Sequence, residues 1–118
     1  KNALISSDIL LFILKDRTGL PLGQIRFSRG CSKSSRVKIS FSLDAFARGH
    51  RLSSTLLKMG LDVLMSSWEE TSIIFAQVKS GNIPSSKSFL SFGFSEVALK
   101  DPLMRQFEIS SLNYSHEH

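Results

Sequence analysis

The sequence has few of the residues that would tie it to an oxidising compartment, a metal or a membrane. Its single cysteine, Cys31, cannot form an intramolecular disulfide, so a reducing cytoplasm is the simplest location for the protein. Cys31 has no histidine or second cysteine near it in the sequence, and we predict no metal site. The longest apolar run, residues 9–14, falls far short of the roughly 20 residues that cross a bilayer, which predicts no membrane partner.

The positive charge lacks the pattern of a nucleic-acid-binding surface. A net charge of +5 fits nucleic acid, a membrane surface or a phosphorylated cofactor. However, the sequence has no run of five like charges, and no aromatic residues are interleaved with the basic ones to stack on bases. The pattern therefore disfavours nucleic acid as the partner.

The composition is that of one folded domain. Of the 118 residues, 42% are hydrophobic and 21% are charged. A chain of this length and composition can bury one hydrophobic core but is too short for two. We therefore predict one domain over residues 1–118. Because the chain begins with Lys1 rather than methionine, truncation at its N-terminus stays open as an interpretation.

Hydrophobic periodicity predicts strands and helices in alternation. Strands alternate apolar and polar residues, whereas a helix repeats its apolar residues every three or four positions. Asn82 and Pro84 mark the start of a helix and Gly93 its end. The predicted strands are residues 9–15, 22–27, 36–43, 72–78, 94–99 and 105–109, the predicted helices are residues 51–67 and 83–92, and the tail of residues 110–118 is predicted to fray.

This order of elements predicts an α/β (α+β) fold. The first two strands form an antiparallel hairpin, and the helix of residues 51–67 connects two parallel central strands by a right-handed crossover. The result is a mixed sheet with two packed helices. Sheets of this kind bind ligands beyond the carboxyl ends of their strands, beside a helix N-terminus.

The segment of residues 37–57, VKISFSLDAFARGHRLSSTLL, places such a ligand site. A strand ends near Leu43, a short loop carries Arg48, Gly49, His50 and Arg51, and a helix follows directly. The backbone N–H groups and the positive end of the helix dipole converge there. The segment therefore predicts a site for a phosphate or pyrophosphate.

Three motifs in this order resemble the GNAT superfamily of acyl-CoA-dependent N-acyltransferases. The resemblance covers about residues 10–96. The motifs are the loop of Arg48, Gly49, His50, Arg51, Leu52 and Ser53 followed by Ser54–Leu57; Asn82 with Ser85, Phe89 and Gly93–Phe94; and the hairpin segment Pro21–Ile25.

The resemblance implies acetyl-CoA as cosubstrate and a small-molecule amine as acceptor. It implies that the backbone of Phe41, Ser42 and Leu43 holds the pantetheine amides like an added strand. It also implies that the amine attacks the thioester directly while a strand N–H stabilises the oxyanion. The remaining residues that it assigns to cofactor binding are Arg48, Gly49, His50, Arg51, Leu52, Ser53 and Ser54 at the pyrophosphate, and Asn82, Ser85 and Phe89 from the second crossover.

Departures from the family pattern leave alternatives open. Arg51 stands where the family has glycine, and it either adds a positive charge to the phosphate site or blocks it. Phe89 stands where the family has a proton-donating tyrosine, and core packing is the alternative role for it. Asp44 and Glu108 are candidate general bases by location, with a solvated surface carboxylate as the alternative for each. His50 is interpreted as a residue that positions the backbone, and no residue receives a catalytic role.

The function and the partners also stay open at this stage. The family has a strand and two helices before the hairpin, whereas only residues 1–7 precede it here. Either the chain is the cofactor-binding part of a larger polypeptide, or its acceptor site is open or completed by a partner. A fused domain, a partner domain and a homodimer are the candidates for that partner. The hairpin sequence resembles GNAT domains of bacterial surface-sugar biosynthesis, which implies an amino sugar as acceptor. The alternative is a non-catalytic or decayed GNAT-like module that serves a neighbouring domain.

Overall fold

Seven strands and three helices make up the part of the chain that this computed structural model describes, residues 2–5, 8–30, 35–43 and 52–117. In chain order they are β1 (Asn2–Ile5), β2 (Ile9–Lys15), β3 (Pro21–Ser28), β4 (Arg36–Leu43), α1 (Leu52–Ser67), β5 (Ile73–Lys79), α2 (Ile83–Phe92), β6 (Ser95–Val97), β7 (Met104–Ser110) and α3 (Ser111–Glu117).

The strands form one mixed sheet in the order β1-β2-β3-β4-β5-β7-β6. Every neighbouring pair is antiparallel except β4 and β5, which are parallel and joined through α1. The predicted antiparallel hairpin, parallel central pair and two packed helices are therefore confirmed. The bounds of β4 and α2 agree with the prediction to the residue, and β5 lies one residue later than predicted.

One face of the sheet, called here the helix face, carries the core. Its strand residues alternate with residues of the other face, as the pleat requires. Helix α1 lies on this face, where its buried leucines cover β3 and Gly60 is close to Ile25. Helix α2 places Phe89 against Phe41 and Phe107. The buried strand residues of the helix face are Leu10, Phe12, Ile25, Phe27, Val37, Ile39, Ile74, Ala76, Phe107 and Ile109.

The other face carries no helix in the described part of the chain, and it is called here the open face. It mixes apolar, polar and basic side chains with the acidic Glu108, and most of them are half-buried or exposed. The open face is formed by Ile9, Leu11, Ile13, Gln24, Arg26, Ser28, Arg36, Lys38, Ser40, Ser42, Ile73, Phe75, Gln77, Gln106, Glu108 and Ser110.

The C-terminal tail corrects the sequence prediction. Residues 110–118 were predicted to fray, but Ser111–Glu117 form α3 and the Tyr114 side chain is only 4% exposed. Its ring stacks on Phe92 with 6.2 Å between centroids, and its hydroxyl donates a hydrogen bond to the Asp62 carboxylate. A polar segment is thus held by one aromatic anchor, which local composition does not reveal.

Two further elements differ from the prediction. β1 was not predicted, and it pairs antiparallel with β2 through four residues. The strand predicted over residues 94–99 is limited to Ser95–Val97, while the last strand is one residue longer at each end, Met104–Ser110. Edge strands as short as β6 carry little periodicity, so their ends are set by pairing with the neighbouring strand.

Candidate functional site

The two parallel strands separate partway along their length. β4 and β5 pair only at Arg36 with Ile73, Val37 with Ile74, and Lys38 with Phe75. Beyond these rungs, within the part of the chain that the structure describes, residues 39–43 pair only with β3, and residues 76–79 pair only with β7. The carboxyl halves of the two strands therefore face one another across a gap.

The gap exposes backbone that a ligand can use. In a ladder, half of the N–H and C=O groups of a strand point to each neighbour. Residues 39–43 bond to β3 on one side and have no strand partner among the described residues on the other. An extended ligand with amide groups would complete this edge as an added strand.

A cavity of about 200 Å³ opens at the wide end of this gap. It gathers residues from three separate elements, namely the end of β4, the first turn of α1 and the first turns of α2. None of the lining residues is charged, and neither helix has an acidic residue in its first turn. The lining residues are Phe41, Ser42, Ser53, Asn82, Pro84, Ser85 and Ser88.

The start of α2 presents side chains rather than free backbone. Asn82 caps the helix by accepting a hydrogen bond from the Ser85 N–H at 3.3 Å, and its carbonyl accepts from the Ser86 N–H at 3.2 Å. Ile83 N–H donates to the Gly81 carbonyl, and Pro84 has no N–H. The first-turn donors of α2 are therefore engaged, so a ligand there meets side-chain amide and hydroxyl groups.

The start of α1 forms another wall of the cavity. Ser53, its second residue, lines the cavity and is half-buried. The positive end of the helix dipole of α1 points to this wall, and no carboxylate in its first turn opposes an anion. This wall suits a phosphate group better than the wall formed by α2.

Phe89 lies behind the cavity rather than in it. Its side chain is 1% exposed, and it is not among the residues that line the cavity. Its ring meets Phe41 edge-on with 5.1 Å between centroids and also contacts Phe94 and Phe107. This placement corresponds to the core-packing alternative, with Phe89 supporting the Phe41 ring that does line the cavity.

Some of the predicted site residues fall outside the described part of the chain. These are Arg48, Gly49, His50 and Arg51 of the predicted pyrophosphate loop, and the candidate base Asp44. The backbone of Leu43 and Leu52 is described at the two edges of this segment, as the last residue of β4 and the first of α1. Ser54 is exposed on α1 and does not line the cavity.

The other candidate base, Glu108, lies on the open face and not in the cavity. Its carboxylate accepts a hydrogen bond from Gln106 at 2.7 Å and is 3.3 Å from the Arg36 guanidinium. With its side chain 22% exposed, it is neither a freely solvated carboxylate nor an unengaged one. Tyr114, the one tyrosine in the sequence, belongs to α3 and contacts α1 and α2, and it does not line the cavity.

The sequence reasoning missed two lining residues. Pro84 was interpreted only as a helix-start residue, and Ser88 was not singled out at all. Ser88 follows Ser85 by three positions and so shares its face of α2, which is a signal that helical periodicity offers. In the described residues, no group of three histidine, cysteine or acidic side chains is placed to hold a metal ion. No described helix is long and apolar enough to cross a membrane.

Comparison with known proteins identifies the fold through structure and not through sequence. No family model matches the chain, and no curated protein matches it. Among solved structures, spermidine N-acetyltransferase from Vibrio cholerae in complex with CoA and spermine superposes with a TM-score of 0.76. The two are 14% identical, over 92% of this chain and 69% of that one.

Two further structures agree with this result. The GNAT domain of S. lividans PAT has a TM-score of 0.73 at 14% identity, over 88% of this chain and 61% of that one. A domain from Methanocaldococcus jannaschii has a TM-score of 0.73 at 18% identity, over 87% and 67%. At sequence identities this low, the similarity establishes the fold alone. The chain has the fold of the GNAT acetyltransferases, as the sequence motifs predicted.

Proposed function

We propose that the protein transfers an acetyl group from acetyl-CoA to a primary amine. The observation that carries this proposal is the separation of β4 and β5, which opens into an uncharged cavity beside the N-termini of α1 and α2. The unpaired edge of residues 39–43 suits the amide groups of pantetheine. The dipole of α1 suits the diphosphate.

Each part of the cavity has a role in this proposal. The backbone of Phe41, Ser42 and Leu43 receives the pantetheine amides, and Ser53 with the preceding loop of residues 48–51 receives the diphosphate. Asn82 and Ser85 contact the cosubstrate from α2 through amide and hydroxyl groups. Phe89 acts indirectly, by holding the Phe41 ring in place.

The chemistry needs few side chains from the protein. The neutral amine nitrogen bonds to the acetyl carbon, the carbon–sulfur bond breaks, the nitrogen loses a proton and the departing thiolate gains one. A backbone N–H of β4 stabilises the oxyanion that develops in between. The side chains that line the cavity in the described residues include no acid or base, so we propose that water carries the protons.

The structures that share the fold support an amine as acceptor. The Vibrio cholerae structure is that of a spermidine N-acetyltransferase with CoA and spermine bound. A polyamine is therefore one acceptor to test, and an amino sugar, implied by the hairpin sequence, is the other. We place the reaction in the cytoplasm, where a protein with one cysteine stays reduced.

One experiment tests binding of CoA at this site. Glutamate in place of Ser85 puts a negative charge into the cavity, at a helix position where glutamate favours folding. We expect Ser85→Glu to weaken acetyl-CoA binding about tenfold or more at low salt, measured by calorimetry. Ser91→Glu, on the exposed last turn of the same helix, is the matched control and leaves the affinity unchanged. Equal affinities for both variants would contradict the proposal.

A second candidate function is a CoA-binding module without activity. The uncharged lining of the cavity and the absence of a hydroxyl on Phe89 favour it. Thiol release from acetyl-CoA, followed with a panel of polyamines and amino sugars, separates the two functions. A protein that binds CoA in calorimetry but releases no thiol with any amine is the module.

A further inference from the structure

A chain of four polar side chains crosses the open face next to the site where β4 and β5 separate. Gln77 Nε2 donates to Gln106 Oε1 at 3.0 Å, and Gln106 Nε2 donates to Glu108 Oε2 at 2.7 Å. Arg36 Nη2 lies 3.3 Å from the same Glu108 oxygen, and its guanidinium lies over the Phe75 ring at 4.9 Å. These four side chains thus link the start of β4, through β7, to β5.

The carboxylate of Glu108 determines the direction of every hydrogen bond in this chain. A carboxylate only accepts, so Gln106 must turn its NH₂ group towards Glu108. The carbonyl oxygen of Gln106 then faces Gln77 and accepts from the NH₂ group of Gln77. The carbonyl oxygen of Gln77 is consequently left as an acceptor at the end of the chain, where no described residue donates to it. Hydrogen bonds aligned in this way strengthen one another.

Gln77, which carries this acceptor, lies where the two strands begin to separate. Phe75 is the last residue of β5 that pairs with β4, and Gln77 is the next residue on the open face. Gln77 is exposed, whereas its partner Gln106 is only 8% exposed and is fixed by the two hydrogen bonds. A buried amide holds the exposed one, so its carbonyl has a defined orientation.

We propose that the Gln77 carbonyl receives an N–H of the acceptor amine and orients its nitrogen for attack, with the amine arriving from the open face. This proposal rests on the proposed function. A pantetheine that extends along residues 39–43 brings its thioester towards the narrow end of the gap, beside Gln77 and Ser40. The ligand class follows from the chemistry, because an attacking primary amine carries N–H donors and needs an acceptor. Gln77 is a positioning residue, and Gln106 and Glu108 act through it.

Kinetics of a near-isosteric variant test this role. Gln77→Met removes the acceptor from an exposed position, so folding is retained. We expect kcat/KM for the amine to fall about tenfold, as the loss of one oriented hydrogen bond allows, while the acetyl-CoA dissociation constant stays the same. In Glu108→Gln the side-chain amide of Gln106 can rotate by 180°, and we expect a smaller loss of kcat/KM for the amine, about threefold. Gln24→Met is the matched control. Gln24 lies on the open face but is not one of the four hydrogen-bonded side chains, so the substitution changes neither constant.

The proposal is overturned if Gln77→Met and Gln24→Met have the same kcat/KM, or if Gln77→Met weakens acetyl-CoA binding as much as it weakens the reaction. A second measurement separates this result from a failure of the proposed function. In ¹⁵N-labelled protein saturated with CoA, spermidine or glucosamine should shift the side-chain NH₂ signals of Gln77 and Gln106. If no amine is acetylated, the proposed function fails while shifted signals still support the amine site. Unshifted signals overturn the site whether or not the enzyme is active.

Discussion

The parallel pair β4–β5 has a closed end, where residues 36–38 pair with residues 73–75, and an open end, where residues 39–43 and 76–79 are separated. The two ends are stabilised in different ways. At the closed end, three rungs join the strands, and the side chains of the middle rung, Val37 and Ile74, are fully buried. At the open end the described residues of the two strands form no rung, and the aromatic contact of Phe41 with Phe89 lies on the helix face beside the gap. Each separated strand keeps its ladder on the far side, β4 with β3 and β5 with β7. The sheet therefore lacks one ladder locally, while each of the two strands stays hydrogen-bonded to its other neighbour.

The closed end is also where three connections meet. Ser72 N–H donates to the Ser35 carbonyl, and Ser111 N–H donates to the Ser72 carbonyl, each at 2.8 Å. The starts of β4, β5 and α3 are thus linked by backbone hydrogen bonds. The open end lacks such links in the described residues and has a cavity instead. The rungs and the linking backbone hydrogen bonds thus lie at one end of the pair, and the cavity lies at the other.

The largest effect is expected when the support of the open end is removed. Phe89→Ala deletes a fully buried ring that contacts three other phenylalanines, and should lower the free energy of unfolding by about 3–5 kcal/mol. It should also weaken acetyl-CoA binding, because Phe41 loses the ring against which it packs. Urea denaturation and calorimetry measure the two effects.

Phe92→Ala is the control for this variant. Phe92 is 7% exposed and packs on Phe94 and Tyr114, so its loss costs similar stability. CoA affinity should be retained in it, at a temperature where both variants are folded. Equal losses of CoA affinity in the two variants would show that the open end has no dependence on the Phe41–Phe89 contact.

A smaller effect, and one that depends on pH, is expected for α3, which begins at the closed end. Tyr114→Phe removes the hydrogen bond to Asp62 and should cost about 1 kcal/mol at pH 8. Burial, and then the hydrogen bond to Asp62, raise the pKa of Tyr114 above its usual value of 10.0. The folded state thus prefers the protonated phenol, so this contribution is complete below pH 10 and declines as the pH rises above 10.

The two proteins can be compared by unfolding at pH 8 and pH 11. Tyr114 is the only tyrosine, so its titration is absent from Tyr114→Phe, whereas the lysines titrate in both proteins, including Lys58, whose Nζ lies 3.3 Å from the Tyr114 hydroxyl. We expect the advantage of the wild type to shrink at the higher pH. An advantage that is constant across this range would contradict the buried, hydrogen-bonded phenol.

The elements with strong local signals could be predicted from the sequence. Alternation defined β4, and Asn82, Pro84 and Gly93 defined the two ends of α2. Helix α3 could not be predicted, because its stability depends on a ring that contacts α2 and a hydroxyl that contacts α1. Those contacts link residues more than 20 positions apart, and a window along the chain does not contain them.

The candidate site divides in the same way. The sequence motifs assigned Phe41, Ser42, Ser53, Asn82 and Ser85 to one cofactor site. In the structure, all five line one cavity. The polar chain from Gln77 to Glu108 was not found, since it depends on the register of β5 against β7. That register pairs Gln77 with Gln106, and it is set by packing of the whole sheet rather than by either strand alone.

The smallest effect is expected for the ion pair that spans the closed end. Arg36 is half-exposed and lies 3.3 Å from Glu108, so Arg36→Gln should lower the free energy of unfolding by less than about 1 kcal/mol, and by less still at high salt. Arg26→Gln on the same face, with no ion pair among the described residues, is the control. A loss above 2 kcal/mol would mean that the closed end depends on this pair rather than on Val37 and Ile74. Because the Glu108 carboxylate remains in the variant, Gln106 keeps its orientation and the kcat/KM for the amine should stay close to that of the wild type.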